Sequence, residues 1–143
     1  MLSTDSSAEI TLSYDEKLNY FRSEETTILG EARAKATKEA KGKYTAFLDS
    51  DDIWLKHKLR KQVSIFCESN NQLGLVYCRT KVFFDDGSGE EYVHKESQML
   101  PQGNIFKELA EDNFIFFSSA MVGREKFDLC GGFPKHFLNS MDY

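Results

Sequence analysis

The sequence is poor in residues that would tie a small fold together covalently or place it in a membrane. Its 143 residues include 3 cysteines, and the scattered positions of Cys67, Cys78 and Cys130 predict neither a C-x-x-C pair nor a complete disulfide framework. There is no run of about 20 apolar residues, so no membrane-spanning helix is expected. Residues 1–8 are polar, which argues against a secretion signal. These absences fit a protein of the reducing cytoplasm.

The sequence also lacks an excess of positive charge. Its formal net charge is -5, which argues against nucleic-acid binding, because such binding needs clustered Lys and Arg to displace counterions from phosphates. The one dense basic run, residues 56–61, is expected to spread around a solvated helix face. A patch facing anionic lipid head groups, and with it a peripheral membrane association, is the alternative.

What the chain does contain predicts one globular α/β domain over residues 1–143. Hydrophobic residues make up 41% of the sequence and aromatic residues 13%, enough for a packed core. The hydrophobic pattern alternates between helical and extended periods. Helices are predicted over residues 6–17, 31–41, 55–69, 104–111 and 124–129, and strands over residues 18–23, 44–48, 73–84, near 92 and 114–122.

Several details of these elements are specific enough to test. Gly42 is expected to end the second helix in a left-handed conformation. Residues 44–48 are apolar on both faces, which is typical of a central strand in a covered parallel sheet. The next helix should pack a stripe of Leu55, Leu59, Val63 and Phe66 onto that sheet. Phe106 is expected on the buried side of the helix over 104–111.

The clearest chemical signal comes from the four residues that directly follow the strand over 44–48, which are Asp49, Ser50, Asp51 and Asp52. Asp49 and Asp51 are one residue apart, so both side chains point to the same side if the extended geometry continues. Two carboxylates this close repel unless a cation neutralises them, and hard oxygen ligands suit Mg²⁺ or Mn²⁺ completed by substrate phosphates. The alternative is that Asp51 and Asp52 cap the following helix.

Two other acidic motifs fit less well. A calcium-binding EF-hand loop needs an oxygen ligand and a glycine where Ile53 and Trp54 stand. A haloacid-dehalogenase-like phosphatase needs Gly and Thr where Asp52 and Ile53 stand.

The wider context of the aspartates resembles the signature region of family 2 glycosyltransferases with the GT-A fold. The resemblance is carried by residues 32–55, ARAKATKEAKGKYTAFLDSDDIWL, and continues through Lys58-Leu59 and Lys61-Gln62-Val63. It extends to three shorter motifs, which are Ser3-Thr4-Asp5, Gly131-Gly132-Phe133 and Met141-Asp142-Tyr143.

This resemblance implies a GT-A-like, Rossmann-like fold: a mixed, mostly parallel sheet flanked by helices. The family's first βαβ portion is expected to be missing before Met1, and the chain is expected to stop just after the acceptor-side motif. The implied activity is transfer of a sugar from a nucleoside-diphosphate-sugar donor to an acceptor hydroxyl with inversion. The alternative is a truncated or degenerate remnant that acts as a binding or assembly module without turnover.

The resemblance also implies a role for each matching residue. Asp51 would hold the divalent metal, Mg²⁺ or Mn²⁺, against the donor diphosphate, and Asp49 would contact the ribose or the metal through water. Asp52 would support the loop, and Arg33 and Asp5 would lie on the donor side. Asp142 would be the catalytic base, although Met141 replaces the Glu that normally precedes it, and Ala34 and Ala36 replace the Asn and Gly expected beside Arg33.

The implied partners follow from the same family. They are a nucleoside-diphosphate sugar and a sugar or lipid-linked acceptor, used in cell-surface polysaccharide or glycolipid biosynthesis. The implied location is the cytoplasm, at the inner face of the membrane. Exposed sheet edges left by an absent strand would favour self-association.

Overall fold

The computed structural model describes residues 4–14, 18–23, 27–70 and 72–134. The described chain divides into two compact units, one containing the first two helices and the other spanning Ala40–Gly132. The helices are α1 (Ser7–Leu12), α2 (Leu29–Glu39), α3 (Lys58–Glu68), α4 (Phe106–Glu111) and α5 (Arg124–Leu129), and the strands are β1 (Tyr44–Ala46), β2 (Leu75–Val76), β3 (Lys81–Phe83), β4 (Glu91–Val93) and β5 (Met121–Gly123).

The first unit is helical where the sequence predicts helices, and its predicted strand is wrong. Helix α1 lies inside the predicted range 6–17, and α2 begins and ends two residues earlier than the predicted 31–41. Residues 18–23 form no strand, and Phe21 among them is exposed. Alternation alone therefore gave a false strand here.

The second unit is built on a three-stranded sheet with the order β1-β5-β2. Both outer strands run antiparallel to β5, with Ala46 opposite Met121 on one side and Val76 opposite the same Met121 on the other. The outer strands therefore point in the same direction. The mixed α/β class is confirmed, but every hydrogen-bonded strand pair within the described residues is antiparallel, and β1 is an outer strand of this sheet instead of a central one.

A small core lies between α3 and this sheet. Phe66 of α3 is fully buried against Val76 and Met121, and its ring stacks on Tyr44 with centroids 4.5 Å apart. Burying a side chain of this size contributes about 1.5–3 kcal/mol. The core therefore fixes β1, and the residues that follow it, against β5.

The buried face of α3 differs from the predicted stripe. Phe66 is buried and Val63 is half-buried, but Leu59 is exposed and Leu55, at 82% exposure, lies before the helix begins. Gln62 is buried in their place. The reason is that backbone carbonyls at the sheet need a donor, which an apolar side chain cannot provide.

The remaining elements follow the sequence with local corrections. The predicted hairpin is confirmed as β3 paired with β4. Phe106 is 80% exposed, so its predicted burial is wrong. The predicted strand over 114–122 is interrupted by a 3-10 turn at Phe117–Ser119, and within this range only Met121 and Val122 belong to a strand, β5. None of the described helices is both long and apolar enough to cross a membrane.

Gly42 is favoured for a reason other than the predicted one. Helix α2 ends at Glu39, and Gly42 is not among the residues with positive φ. A Cβ at Gly42 would lie 3.0 Å from the carbonyl oxygen of Tyr44. Glycine therefore allows the backbone to fold closely on itself just before β1.

Candidate functional site

The aspartates form a turn rather than a continuation of the strand. Strand β1 ends at Ala46, and the backbone N–H of Asp52 donates to the carbonyl oxygen of Asp49 at 3.2 Å. We call Asp49–Asp52 the acidic turn. Since the backbone turns here, the extended geometry expected to align Asp49 with Asp51 is wrong. Asp49 is half-buried, while Asp51 and Asp52 are exposed.

One serine holds both ends of this region. The Oγ of Ser118 accepts a hydrogen bond from the backbone N–H of Asp49 at 2.9 Å. The carbonyl oxygen of Ser118 accepts another from the indole Nε1–H of Trp54 at 2.7 Å. Ser118 is buried, so both bonds are partly shielded from water. The acidic turn is therefore fixed by a residue that lies 69 positions after Asp49 in the sequence.

The turn that carries Ser118 is itself firmly held. The backbone N–H of Ser119 donates to the carbonyl oxygen of Phe116 at 2.8 Å, and the ring of Phe117 stacks on Phe47 with centroids 4.6 Å apart. The Gln62 amide donates to the carbonyl oxygens of Ser119 at 2.8 Å and Val76 at 3.0 Å. Buried groups bonded in this way keep their positions.

Gln62, Ser118 and Ser119 were missed by the sequence analysis. A signal was present, because two adjacent serines interrupt an otherwise apolar run over 114–122 and Gln62 lies beside the predicted apolar stripe. Such isolated polar residues are typical of buried hydrogen-bond donors and acceptors.

The helix-cap alternative for the aspartates is not supported by the structure. Helix α3 begins at Lys58 with His57 as its N-cap. Asp51 and Asp52 therefore lie several residues before the first turn. Because the effect of a helix dipole fades beyond its first turn, capping does not explain their presence.

Two of the other predicted site residues, Asp5 and Arg33, belong to the first compact unit. Asp5 accepts a hydrogen bond from the backbone N–H of Ser7 at 3.0 Å at the start of α1, and bonding to Ser7 holds the pKa of this carboxyl below its ordinary value. Arg33 lies half-buried on α2. Asp142 lies outside the described residues. The donor-side roles of Asp5 and Arg33 and the catalytic role of Asp142 stay predictions.

The acidic turn offers carboxylates that suit a hard cation. Within the described ranges, no group of three or more His, Cys, Asp and Glu side chains is arranged as a metal site. Mg²⁺ commonly takes only one or two protein carboxylates and completes its shell with water and substrate phosphates. Asp49 and Asp51 are therefore sufficient in number and type for a cation that arrives with a diphosphate.

A cavity of about 320 Å³ adjoins the acidic turn at Asp52. We call it the Trp54 groove. It is lined by Asp52, Ile53, Trp54, Leu55, Lys58, Cys78, Arg79, Thr80, Lys81, Phe83, Phe116, Ser118 and Ser119. Its volume is within the range of small-molecule sites, and its mixture of aromatic and polar walls is typical of them.

Comparison with known proteins gives a consistent result. The family model described as "Glycosyl transferase family 2" matches residues 2–131. A putative teichuronic acid biosynthesis glycosyltransferase of Bacillus subtilis is 30% identical over 128 residues, which is 87% of this chain and 48% of that protein. An uncharacterized glycosyltransferase of Methanocaldococcus jannaschii is 35% identical over 138 residues, covering 90% of this chain and 43% of the relative.

A shorter match carries a more specific name. A UDP-Glc:alpha-D-GlcNAc-diphosphoundecaprenol beta-1,3-glucosyltransferase of Escherichia coli is 51% identical over 39 residues, or 27% of this chain and 15% of that protein. The chain thus spans less than half the length of these three relatives. No solved structure matches it significantly.

Proposed function

Because the chain belongs to glycosyl transferase family 2, we propose that it transfers a sugar from a nucleoside diphosphate donor to an acceptor hydroxyl with inversion. The single observation that supports this most is the acidic turn, whose backbone is fixed by Ser118 while Asp51 stays exposed. A carboxylate held in this way can meet a charged ligand with little further ordering.

Asp51 and Asp49 are proposed to hold Mg²⁺ or Mn²⁺. When bound, such a cation stabilises the negative charge that develops on the departing diphosphate. The backbone of Asp49 is held by its bond to Ser118, and Asp52 closes the turn through its own N–H. The protein thus orients the donor through carboxylates on a braced backbone.

The acceptor hydroxyl needs a base, because it is a weak nucleophile while it keeps its proton. Asp142 is proposed for this step, with the proton moving from the acceptor oxygen to the Asp142 carboxylate as the glycosidic bond forms on the face opposite the departing diphosphate. Arg33 and Asp5 are proposed to contribute to the donor side.

The relatives suggest the kind of pathway. One is named for teichuronic acid biosynthesis, and another is named for an acceptor sugar linked to diphosphoundecaprenol. We therefore propose a sugar or lipid-linked acceptor and a role in cell-surface polysaccharide or glycolipid biosynthesis, carried out in the cytoplasm at the inner face of the membrane.

Calorimetry with the full chain tests the proposal. Uridine diphosphate should bind in the presence of Mn²⁺, and a chelator should abolish the binding. Asp51→Ala should weaken it about tenfold or more, since interactions with a charged group contribute about 1.5–3 kcal/mol. Asp85→Ala is the matched control, because it removes an equally exposed carboxylate from the β3–β4 hairpin turn.

Hydrolysis of a panel of nucleotide sugars then separates the enzyme from the non-catalytic alternative. Metal-dependent release of free sugar that is lost in Asp51→Ala supports the transferase. Metal-dependent binding without release would favour a binding module. Tight binding that ignores both the chelator and Asp51→Ala would contradict the proposed site.

A further inference from the structure

The Trp54 groove has a rigid aromatic wall. The Trp54 indole is fixed by its bond to Ser118, and its ring carries the Lys58 ammonium 4.4 Å from the centroid. Phe83 and Phe116 also line the groove. Aromatic faces of this kind pack against the C–H bonds of a sugar ring or another partly apolar ligand.

The groove is lined by more basic than acidic residues. Three basic residues and one acidic residue line it, and among the described residues Lys81 is the only one of these bases with an ion pair, which it forms with Glu91. Arg79 donates to the neutral carbonyl oxygens of His94 at 3.1 Å and Gln98 at 2.8 Å, and also to that of Lys95. The charge of the Arg79 guanidinium is therefore not cancelled by its partners.

Lys58 is the more informative cation. Its ammonium donates to the Gln62 amide oxygen at 2.8 Å, and no carboxylate in the described part of the chain forms an ion pair with it. It is half-buried, and burial lowers its pKa, an effect opposed by the neighbouring Cys78. A partly desolvated cation without a counter-charge is costly, and a bound anion would remove that cost.

The position of the groove suggests which anion this is. Asp52 belongs to both the acidic turn and the groove wall, so a ligand in the groove would lie beside the donor diphosphate. That diphosphate has its own cation on Asp49 and Asp51 under the proposed function. Lys58 and Arg79 are left for a second anionic group.

We infer that the Trp54 groove binds the glycosyl acceptor, and that Lys58 holds a phosphate group attached to the acceptor sugar. This inference rests on the proposed function, because the groove is an acceptor site only if the acidic turn binds the donor. The inference goes beyond the proposed function because it gives the acceptor a negative charge and names Lys58 as the residue that binds it.

The chain carries its own reporter for this test. Trp54 is the only tryptophan in the sequence, so fluorescence excited at a wavelength that tyrosine does not absorb reports on the groove. Wild-type protein at neutral pH, with a chelator present and no nucleotide, is titrated with glucose 1-phosphate and, separately, with methyl glucoside. The fluorescence should change saturably with the phosphate and respond more weakly to the neutral sugar.

Lys58→Met should weaken glucose 1-phosphate binding about tenfold or more, the usual effect of losing a charge-assisted bond. Lys58→Gln is the second variant, since it removes the charge and keeps a polar head. Lys61→Met is the matched control, because it removes a cation from an exposed position of the same helix. Thermal denaturation of each variant establishes that it is folded.

Three results would overturn the inference. The first is equal binding of phosphate and neutral sugar by the wild type, or no binding of either. The second is a loss in Lys61→Met that matches the loss in Lys58→Met. The third is phosphate binding that requires added metal and disappears in Asp51→Ala, since the anion would then be on the acidic turn. The titration contains no donor and no metal. A negative result would therefore contradict the inference about the acceptor, while the proposed function would still be tested separately by the uridine diphosphate experiment.

Discussion

The acidic turn and the hydrophobic core belong to the same compact unit, yet they are held in opposite ways. Phe66, Val76 and Met121 are fixed by burial. Asp51 and Asp52 are exposed, and the order of their turn depends on hydrogen bonds at Asp49. We therefore expect that replacing the ligand-binding side chains changes the free energy of unfolding little, whereas replacing the residues that position them lowers it clearly.

Between the two regions lies a polar layer that belongs to both. Gln62, Ser118 and Ser119 are as buried as the core, but each uses its polar atoms to hold backbone that leads to the site. Substitutions in the core, in the polar layer and in the acidic turn should therefore separate effects on stability from effects on binding.

The largest effect on stability is expected in the core. Phe66→Ala should lower the free energy of unfolding by about 3–5 kcal/mol, because it removes a fully buried ring and leaves a cavity. Urea denaturation measures this. Asp51→Asn should change the same quantity by less than about 0.5 kcal/mol, as is usual for an exposed position. If the two variants lost similar stability, the contrast between turn and core would be wrong.

An intermediate effect is expected in the polar layer. Ser118→Ala removes the acceptor of the Asp49 N–H and should cost about 1 kcal/mol of stability, the usual net value of a buried hydrogen bond. It should also weaken metal-dependent uridine diphosphate binding, since the turn is less ordered. Ser64→Ala is the control, because that hydroxyl bonds the Arg60 carbonyl oxygen on an exposed helix face. Lost stability with unchanged binding would show that Ser118 does not position the turn.

The smallest effect is chemical and lies in the groove. Burial raises the pKa of the Cys78 thiol, and the nearby Lys58 lowers it in part. Because its pKa is raised, Cys78 carries less thiolate at a given pH than it would with its ordinary pKa. Cys78 is also less accessible than the exposed Cys67 and Cys130, so it should react with iodoacetamide more slowly than they do. Mass spectrometry of partly alkylated protein resolves the three sites. Glucose 1-phosphate in the groove should slow Cys78 further and leave Cys67 unchanged.

Sequence reasoning succeeded where a local pattern decides the outcome. The α3 helix, the β3–β4 hairpin and the position of the aspartates after an apolar strand all depend on neighbouring residues. The prediction failed at residues 18–23 and over 114–122, where extended or turned backbone is decided by partners distant in the chain.

The candidate site shows the same division. Asp49, Asp51 and Asp52 could be found from their chemistry and spacing, but their turn could not, because it is fixed by Ser118, which lies 69 positions after Asp49 in the sequence. The buried role of Gln62 was missed for a similar reason, since helical periodicity identifies a face and not the carbonyl groups that the face will meet.

Arg79 has a consequence for how this protein can change. Its guanidinium donates to three carbonyl oxygens of one short segment, those of His94, Lys95 and Gln98. Every amino acid supplies that atom. Residues 94–98 can therefore accept many substitutions and keep the same backbone path. The ligand selectivity of the groove could then change among descendants of this protein while its architecture stays constant.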